Sequence, residues 1–115
     1  MFSSDRSKRD LFTGALEMMI LQSLQCQPIN GYAMVQHIQQ RSRDLLEVEE
    51  GSLYPALQRL LKASLDEASW EISATNGRVR TYRITKKGRK HLEQEIFRFE
   101  QMFEGISLVL ADAKP

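Results

Sequence analysis

Residues 51–60 have the sequence GSLYPALQRL, which predicts a short helix with one apolar face and one polar face. Ser52 is a natural N-cap, because its side-chain oxygen can accept a backbone N–H of the first turn. Pro55 would then lie in the first turn, where its missing N–H is not needed. We therefore predict a helix over residues 52–62 that packs on one side only. Its apolar stripe consists of Leu53, Leu57, Leu60 and Leu61.

The polar side of this helix carries hydrogen-bonding side chains, which is typical of a helix that recognises DNA. We expect Ser52 and Tyr54 to contact phosphates near the helix N-terminus, where the helix dipole favours negative charge. Gln58 could reach an adenine edge or a phosphate, and Arg59 and Lys62 are further candidates. The alternatives stay open: Ser52 as a cap only, Tyr54 as a packing residue, and the two cations as part of a solvated face.

Beyond this helix the pattern changes to strand-like alternation, which predicts a two-stranded wing over residues 70–84. The Asn76-Gly77 pair favours a tight turn, although the residues around it also fit a longer loop. Arg78 and Arg80 bracket the predicted tip, and we expect them to enter or straddle the minor groove of DNA. A solvated hairpin tip is the alternative. The alternating apolar residues are Trp70, Ile72, Tyr82 and Ile84.

Charge placement supports a polyanionic partner more than the total charge does. The chain has 115 residues, 42% of them hydrophobic and 27% charged, which fits one compact domain with a formal net charge of only +1. No Asp or Glu occurs between Ile72 and Leu92, which favours DNA contact by the wing. The basic residues of that interval are Arg78, Arg80, Arg83, Lys86, Lys87, Arg89 and Lys90.

Three further helices complete the predicted domain. Apolar periodicity predicts helices over about residues 11–24 and 32–41, the second capped by Asn30. Thr85 can cap a final helix whose apolar residues recur at alternating steps of four and three. Too little of the domain remains to bury this seam, so we expect a second copy of the chain to cover it. The seam consists of Leu92, Ile96, Phe99, Phe103, Ile106 and Leu110.

These elements predict a mainly α fold with a small β-hairpin (α+β), in which a winged helix-turn-helix precedes a long C-terminal dimerisation helix. Residues 43–50 connect the second helix to the recognition helix. We expect a flexible N-terminal arm over residues 1–10, the DNA-binding domain over 11–84, the dimerisation helix over 85–110 and a tail over 111–115.

Several classes of function are disfavoured by the sequence. Cys26 is the single cysteine, so no intrachain disulfide can form and a reducing, cytoplasmic location is expected. No run approaches the roughly 18 apolar residues of a membrane span. His37, His91 and Cys26 lack any paired ligand spacing, so we expect no metal and no cofactor. No nucleophile accompanies a histidine in a recognisable arrangement, so we expect no enzyme.

Several separated segments carry a family resemblance: Gly14-Ala15-Leu16, Ile20-Leu21, Gly31-Tyr32, Gly51 to Leu60, Trp70, Arg80-Thr81-Tyr82 and Thr85-Lys86-Lys87-Gly88-Arg89. With these segments the chain resembles the PadR family of bacterial transcriptional regulators over roughly residues 11–106. The resemblance implies a winged helix-turn-helix, a homodimer, and repression of a promoter with a two-fold site in double-stranded DNA. It makes Tyr32 a candidate phosphate contact, with a half-buried core tyrosine as the alternative. It also places Leu16 and Ile20 near the last helix of the partner.

Relatives of this kind sense phenolic acids or flat hydrophobic drugs at the dimer interface, so the resemblance makes a small aromatic effector a candidate partner and leaves its existence and identity open. Ordinary packing in the core and in the seam is the alternative for each candidate residue. The candidate lining residues are Trp70, Phe97, Met102 and Phe103.

The resemblance weakens just after the recognition helix. Family members usually have a glycine followed by two apolar residues there, whereas this chain has Ser64-Leu65-Asp66. The turn is therefore less free, and a normally buried strand position carries a charge. A second functional hypothesis also stays open and would explain the modest net charge: a winged-helix protein-interaction module that binds an acidic protein partner instead of DNA.

Overall fold

The computed structural model describes residues 4–112 and the side chains of residues 14–111, and within this range the chain forms four helices and one antiparallel sheet. The fold is the predicted α+β winged helix with a long C-terminal helix. The elements are α1 (Ser4–Cys26), β1 (Ile29–Asn30), α2 (Gly31–Arg41), α3 (Glu50–Lys62), β2 (Asp66–Ile72), β3 (Arg78–Ile84) and α4 (Lys86–Asp112).

Both terminal helices are longer than the sequence predicted. Helix α1 begins at Ser4, so residues 4–10 are helical and the predicted arm over residues 1–10 is wrong for this part. These residues carry no apolar periodicity, but they include Arg and Lys, which favour helices, and an acidic residue near the N-terminus. Helix α4 ends at Asp112 and includes the start of the predicted tail. The rest of both predicted segments, residues 1–3 and 113–115, lies outside the described residues.

The sheet contains one strand more than the predicted hairpin. Its order is β1-β3-β2 with antiparallel pairing, and Ile29 in β1 lies opposite Tyr82 in β3. Strand β2 begins at Asp66, before the predicted start of the wing at residue 70. The connection between β2 and β3 is the longer loop, because Ser73 N–H donates to the Gly77 carbonyl at 2.7 Å and encloses the residues between them.

Helix α3 supplies the centre of the core with the predicted leucine stripe. Ala56 is also fully buried, and Leu61 is partly buried at the edge. The burial of these side chains beneath α1, α2 and the sheet supplies most of the hydrophobic stabilisation of this helix. The largest side chains in this core with almost no exposed surface are Leu16, Ile20, Leu21, Met34, Leu53, Leu57, Leu60 and Leu92.

The start of α3 differs from the prediction. Glu49 occupies the N-cap position without a side-chain cap hydrogen bond, whereas Ser52 lies inside the first turn and donates its backbone N–H to the Glu49 carbonyl at 3.0 Å. Ser52 is therefore not the cap. Pro55 is the sixth helical residue and lies past the first turn, which deprives the Gly51 carbonyl of its i+4 donor. Local preference suggested a later start, but the helix extends two residues further toward its N-terminus.

The other two predicted caps are confirmed. The Asn30 side chain accepts the Ala33 N–H at 2.9 Å at the start of α2. At the start of α4, the Thr85 hydroxyl accepts the Gly88 N–H at 2.9 Å. The same hydroxyl donates to the Ser64 carbonyl at 2.7 Å, which ties α4 to the turn between α3 and β2. These contacts position the last helix relative to the recognition helix.

The departure at Ser64-Leu65-Asp66 has a clear structural consequence. Ser64 adopts a left-handed backbone conformation with a φ of 61°, which a glycine would adopt without strain. Asp66 follows on β2 with only 2% of its surface exposed, and neither carboxylate oxygen has a hydrogen-bond partner among the described residues. Burial raises the pKa of Asp66 to about 7, while the nearby Arg80 charge opposes the rise. The carboxyl group that the sequence places at this buried position is therefore mostly protonated, and so uncharged, below neutral pH.

Replacing Asp66 by leucine tests this buried carboxyl. The pKa is about 7 in the folded chain and 3.8 for an unperturbed aspartate, so the folded state binds the proton more tightly. The contribution of Asp66 to the wild-type stability is therefore fully present below about pH 4 and is lost as the pH rises to about 7. We expect Asp66→Leu to lack this decrease and to gain on the order of 2–4 kcal/mol in unfolding free energy near pH 8.

Urea unfolding near pH 5 and near pH 8 measures the difference. Glu67→Gln provides the control, because Glu67 is the neighbouring carboxylate on β2 and is exposed. The same loss of stability between the two pH values in wild type and in Asp66→Leu would contradict the assignment.

Candidate nucleic-acid interface

One face of the wing carries two arginines above two aromatic rings. Residues alternate along paired strands, and Trp70 lies opposite Arg80 in the register of β2 and β3. The Arg78 guanidinium lies 4.7 Å from the centroid of the Trp70 ring, and the Arg80 guanidinium lies 5.7 Å from the centroid of Tyr82. Both arginines therefore lie on the face that continues inward to buried Tyr82, and the aromatic rings support them there.

This wing face forms one wall of a groove of about 380 Å³ between the wing and the starts of α2 and α3. The groove brings together four of the residues predicted to bind DNA: Tyr32, Tyr54, Arg78 and Arg80. They come from three separate segments of the chain. We name this surface the recognition groove, and its remaining lining residues are Asn30, Gly31, Trp70, Val79 and Tyr82.

The two tyrosines of the recognition groove are available to a partner. Tyr32 is 63% exposed, which excludes the half-buried core alternative, and its hydroxyl accepts the Gln36 side-chain amide at 3.0 Å. Tyr54 is 41% exposed and packs closely against Gly31, because a Cβ at Gly31 would lie 2.8 Å from the Tyr54 hydroxyl. The absence of a side chain at Gly31 therefore leaves room for the Tyr54 ring beside the start of α2.

The remaining predicted residues of α3 divide into two groups. Ser52, Gln58 and Lys62 are exposed but do not line the recognition groove. The Arg59 side chain instead forms an ion pair with Glu17 of α1, with 2.6 Å between Nε and the carboxylate oxygen. Part of its charge is thus balanced within the chain, and DNA contact by Arg59 stays a prediction.

On the opposite face of the wing, the arginine side chain is already engaged in hydrogen bonds within the chain. Arg83 donates to Ser69 at 3.2 Å and to Glu71 at 3.0 Å, and Thr81 also donates to Glu71. The hydrogen bond from Arg83 is the main cause that lowers the pKa of Glu71. Lys87 is also engaged, because its ammonium group donates to the Ala63 carbonyl at 3.0 Å near the end of α3. Part of the basic segment therefore stabilises the fold instead of facing a partner.

A second, apolar groove of about 390 Å³ lies between α1 and α4. Met102 and Phe103, two of the candidate effector-lining residues, belong to it. Trp70 does not, since it lies on the wing, and Phe97 is exposed on α4 outside this groove. The other lining residues are Gly14, Ala15, Met18, Glu95, Arg98, Phe99 and Ile106.

The seam residues of α4 differ sharply in burial. Leu92 is 1% exposed, and Leu16 and Ile20 of α1 are equally buried, so these three side chains belong to the core of the single chain. A partner could not reach them without unfolding the core, and we no longer count them as interface residues. Ile96 is partly buried against the core. The exposed apolar residues of α4 are Phe97, Phe99, Met102, Phe103, Ile106, Leu108, Val109 and Leu110.

Sequence reasoning missed the roles of Trp70 and Gly31 in the recognition groove. Strand alternation identified Trp70 but could not show that Arg78 stacks on it, since this requires the strand register. In the part of the chain that the structure describes, no group of three His, Cys, Asp or Glu residues is arranged to hold a metal ion. None of the described helices carries an apolar stretch long enough to cross a membrane.

Comparison with known proteins agrees with this geometry. A model of the transcriptional regulator PadR-like family matches residues 20–94, which include α2, α3 and the wing. The chain belongs to this family. As a PadR-like protein it is a DNA-binding transcriptional regulator, which confirms the main functional hypothesis from the sequence.

Solved structures and a further protein extend the similarity over most of the PadR-like chain. A transcriptional regulator from Clostridium thermocellum is 27% identical with a TM-score of 0.77, and 93% of this chain and 96% of that chain are covered. A PadR-like transcriptional regulator from Bacillus cereus is 27% identical with a TM-score of 0.73, covering 88% and 96%. An uncharacterised protein from Lysinibacillus sphaericus is 28% identical over 103 residues, covering 90% and 94%.

Gly31→Ala tests whether the Tyr54 ring must keep its place beside α2. The new methyl group would overlap the ring, which must move, while the backbone of α2 accepts alanine easily. We expect roughly tenfold weaker binding to DNA with less than about 1 kcal/mol lost in unfolding free energy. Fluorescence anisotropy and urea unfolding measure the two quantities.

The Tyr54→Ala background supplies the control for this prediction. Without the tyrosine ring there is nothing at Gly31 to displace, so the second substitution should have no further effect on affinity. An equal loss in both backgrounds would show that Gly31→Ala acts by another route.

Proposed function

We propose that this PadR-like chain is a dimeric repressor that binds a two-fold promoter site in double-stranded DNA. Helix α3 would enter the major groove, and the wing formed by β2 and β3 would reach the adjacent minor groove. The observation that carries this proposal is the recognition groove, where Tyr32, Tyr54, Arg78 and Arg80 share one exposed surface beside the recognition helix. Family membership favours DNA as the partner over an acidic protein.

The roles of the individual residues follow from their chemistry. Tyrosine hydroxyls donate one hydrogen bond, which suits a phosphate oxygen, so Tyr32 and Tyr54 would fix the orientation of the domain on the backbone. Gln58 has both a donor and an acceptor, which suits an adenine edge, and it is exposed on α3. Ser52 and Lys62 would add backbone contacts from the same helix.

The charges around α3 favour phosphate contacts in the recognition groove over contacts at the N-terminus of the helix. The N-terminal end of α3 carries exposed Glu49 and Glu50, and their charges already complement the helix dipole there. A phosphate at that end would meet two carboxylates. Arg78 and Arg80 offer positive charge on the wing side, so we place the main backbone contacts between the tyrosines and the wing.

The exposed apolar residues of α4 support the homodimer. The 27 residues of α4 extend roughly 40 Å, and each residue from Phe97 to Ala111 is exposed in the single chain. Phe99 and Phe103 stack with their ring centroids 6.4 Å apart and give this surface a broad aromatic patch. A second copy that packs there would bury these side chains and set the spacing of the two recognition helices.

The apolar groove between α1 and α4 supports a small aromatic effector. Phe99, Met102 and Phe103 line it opposite Gly14, which has no side chain, and Ala15, which has only a methyl group, so this wall of the groove is open. A flat apolar molecule would gain most of its affinity from these rings and from the methionine. Effector and regulator would meet in the cytoplasm, where a regulator of bacterial promoters acts.

Anisotropy titrations with duplex DNA from the upstream region of the protein's own gene, and with a scrambled duplex, test the DNA proposal. At about 50 and 200 mM salt we expect the native duplex to bind more tightly and in a salt-dependent manner. Arg78→Ala with Arg80→Ala should weaken binding about tenfold or more and reduce the salt slope by roughly 2.

Arg83→Ala is the matched control for this double variant. It removes one wing arginine whose charge is already balanced by Glu71, so affinity should change by less than about threefold. No binding to either duplex at low salt would contradict the repressor and favour the protein-interaction module.

Phe103→Asp tests the dimer. A carboxylate in the apolar patch of α4 would be buried without a partner, so we expect a monomer at micromolar concentration in sedimentation analysis. Gln94→Asp adds the same charge at an exposed polar position of α4 and should leave the dimer intact. A dimer that survives Phe103→Asp would place the interface elsewhere.

A further inference from the structure

We propose that Trp70 is a positioning residue of the wing, which holds the Arg78 guanidinium in the recognition groove so that its N–H groups face the DNA. This inference rests on the proposed DNA-binding function and deepens it. It assigns a role to an aromatic side chain that the sequence suggested only for an effector pocket.

Burial in the core does not account for Trp70. Its side chain is 59% exposed near the outer end of β2, where an apolar residue of this size gains little from packing. The contact that the structure does show is with Arg78, whose guanidinium lies 4.7 Å from the ring centroid. In the strand register Ile72 lies opposite Arg78, so Trp70 is its diagonal neighbour across the two strands.

Stacking places the arginine without occupying its hydrogen-bond donors. The guanidinium carbon of Arg78 lies over the ring, and no hydrogen bond to another described residue occupies its N–H groups, which stay available to a phosphate or a base. Arg83 on the other face of the wing shows the contrast, since its N–H groups donate to Ser69 and Glu71. Of these two arginines, only Arg78 is held in place and still able to donate to DNA.

An arginine that is held in place before DNA binds should bind more tightly than one that is free to move. A free arginine loses rotamer entropy when it is fixed on DNA, and a residue already held by a ring loses less. Arg80 depends less on such a ring, because its side chain is half-buried beside Tyr82 and the charged form of Asp66 also attracts it. Arg78 lies at the exposed start of β3, and Trp70 is the ring that supports it.

Four variants test the role on the same duplexes: Trp70→Phe, Trp70→Leu, Arg78→Ala and the double variant Trp70→Leu with Arg78→Ala. We expect Trp70→Leu to bind about fivefold to tenfold more weakly, with a reduced salt slope, because leucine has no π face. Trp70→Phe should stay within about threefold of wild type. The double variant should bind no more weakly than Arg78→Ala, because Trp70 acts through Arg78.

Intrinsic fluorescence gives an independent readout, since Trp70 is the only tryptophan of the chain. Titration of wild type with the native duplex should change its emission, and Arg78→Ala should alter the emission of the free protein. Ile72→Ala serves as the control for apolar surface, because it removes an exposed apolar side chain opposite Arg78 but keeps the Trp70 ring, and its affinity should stay close to wild type.

The outcomes separate this inference from the proposed function. Failure of wild type to bind any duplex overturns both. Wild-type binding combined with unchanged affinity of Trp70→Leu, or with additive losses for Trp70→Leu and Arg78→Ala, overturns the role of Trp70 alone. An equal loss in Ile72→Ala would also overturn it, because the effect would then be a general one of apolar surface. Urea unfolding of each variant confirms that the wing remains folded.

Discussion

The close approach of α4 to the turn between α3 and β2 constrains the whole structure. A Cβ at Gly88 would lie only 2.0 Å from the Leu65 carbonyl oxygen, so the first turn of α4 can pack there only because this residue is glycine. Thr85 bonds to Ser64 and Leu65 across the same junction. The recognition helix, the wing and the proposed dimer helix therefore meet at one closely packed junction, through which a change in the pairing of two α4 helices in the proposed dimer could reach the α3 helices.

The recognition groove is formed by one of the two distinct faces of the wing. One face carries a closed polar network in which Arg83 and Glu71 balance each other. The other begins at the core with Tyr82 and ends outside with Arg78 and Arg80 on aromatic rings. Strand alternation separates Arg83 from Arg78 and Arg80, so charges that are continuous in the sequence lie on two faces of the wing, one with an internal ion pair and one that we propose to meet DNA.

The sequence predicted the features that have a period or a cap and missed those that depend on long-range pairing. The leucine stripe of α3, the wing and the Thr85 cap could be predicted because each leaves a local signal. Strand β1 could not, since two residues have no period. The pairing of Arg59 with Glu17 joins residues far apart in the chain, and only the fold brings them together. Apolar periodicity also could not show whether Leu16 is buried in the core of a single chain or in a dimer interface, and the structure places it in the core.

Asp66 departs from the family pattern at the start of β2, beside the close junction with α4, and its chemistry shows how such a residue can be tolerated there. A charged carboxylate with no hydrogen-bond partner would destabilise the base of the wing, but a pKa of about 7 lets the group stay protonated over much of the pH range. Arg80 lies on the same wing face and lowers the cost of the charged form. The charged carboxylate thus attracts the same arginine that, in the proposed complex, a DNA phosphate would attract outward. The residue that weakens the wing at high pH therefore also acts on one of the two arginines that we propose to meet DNA.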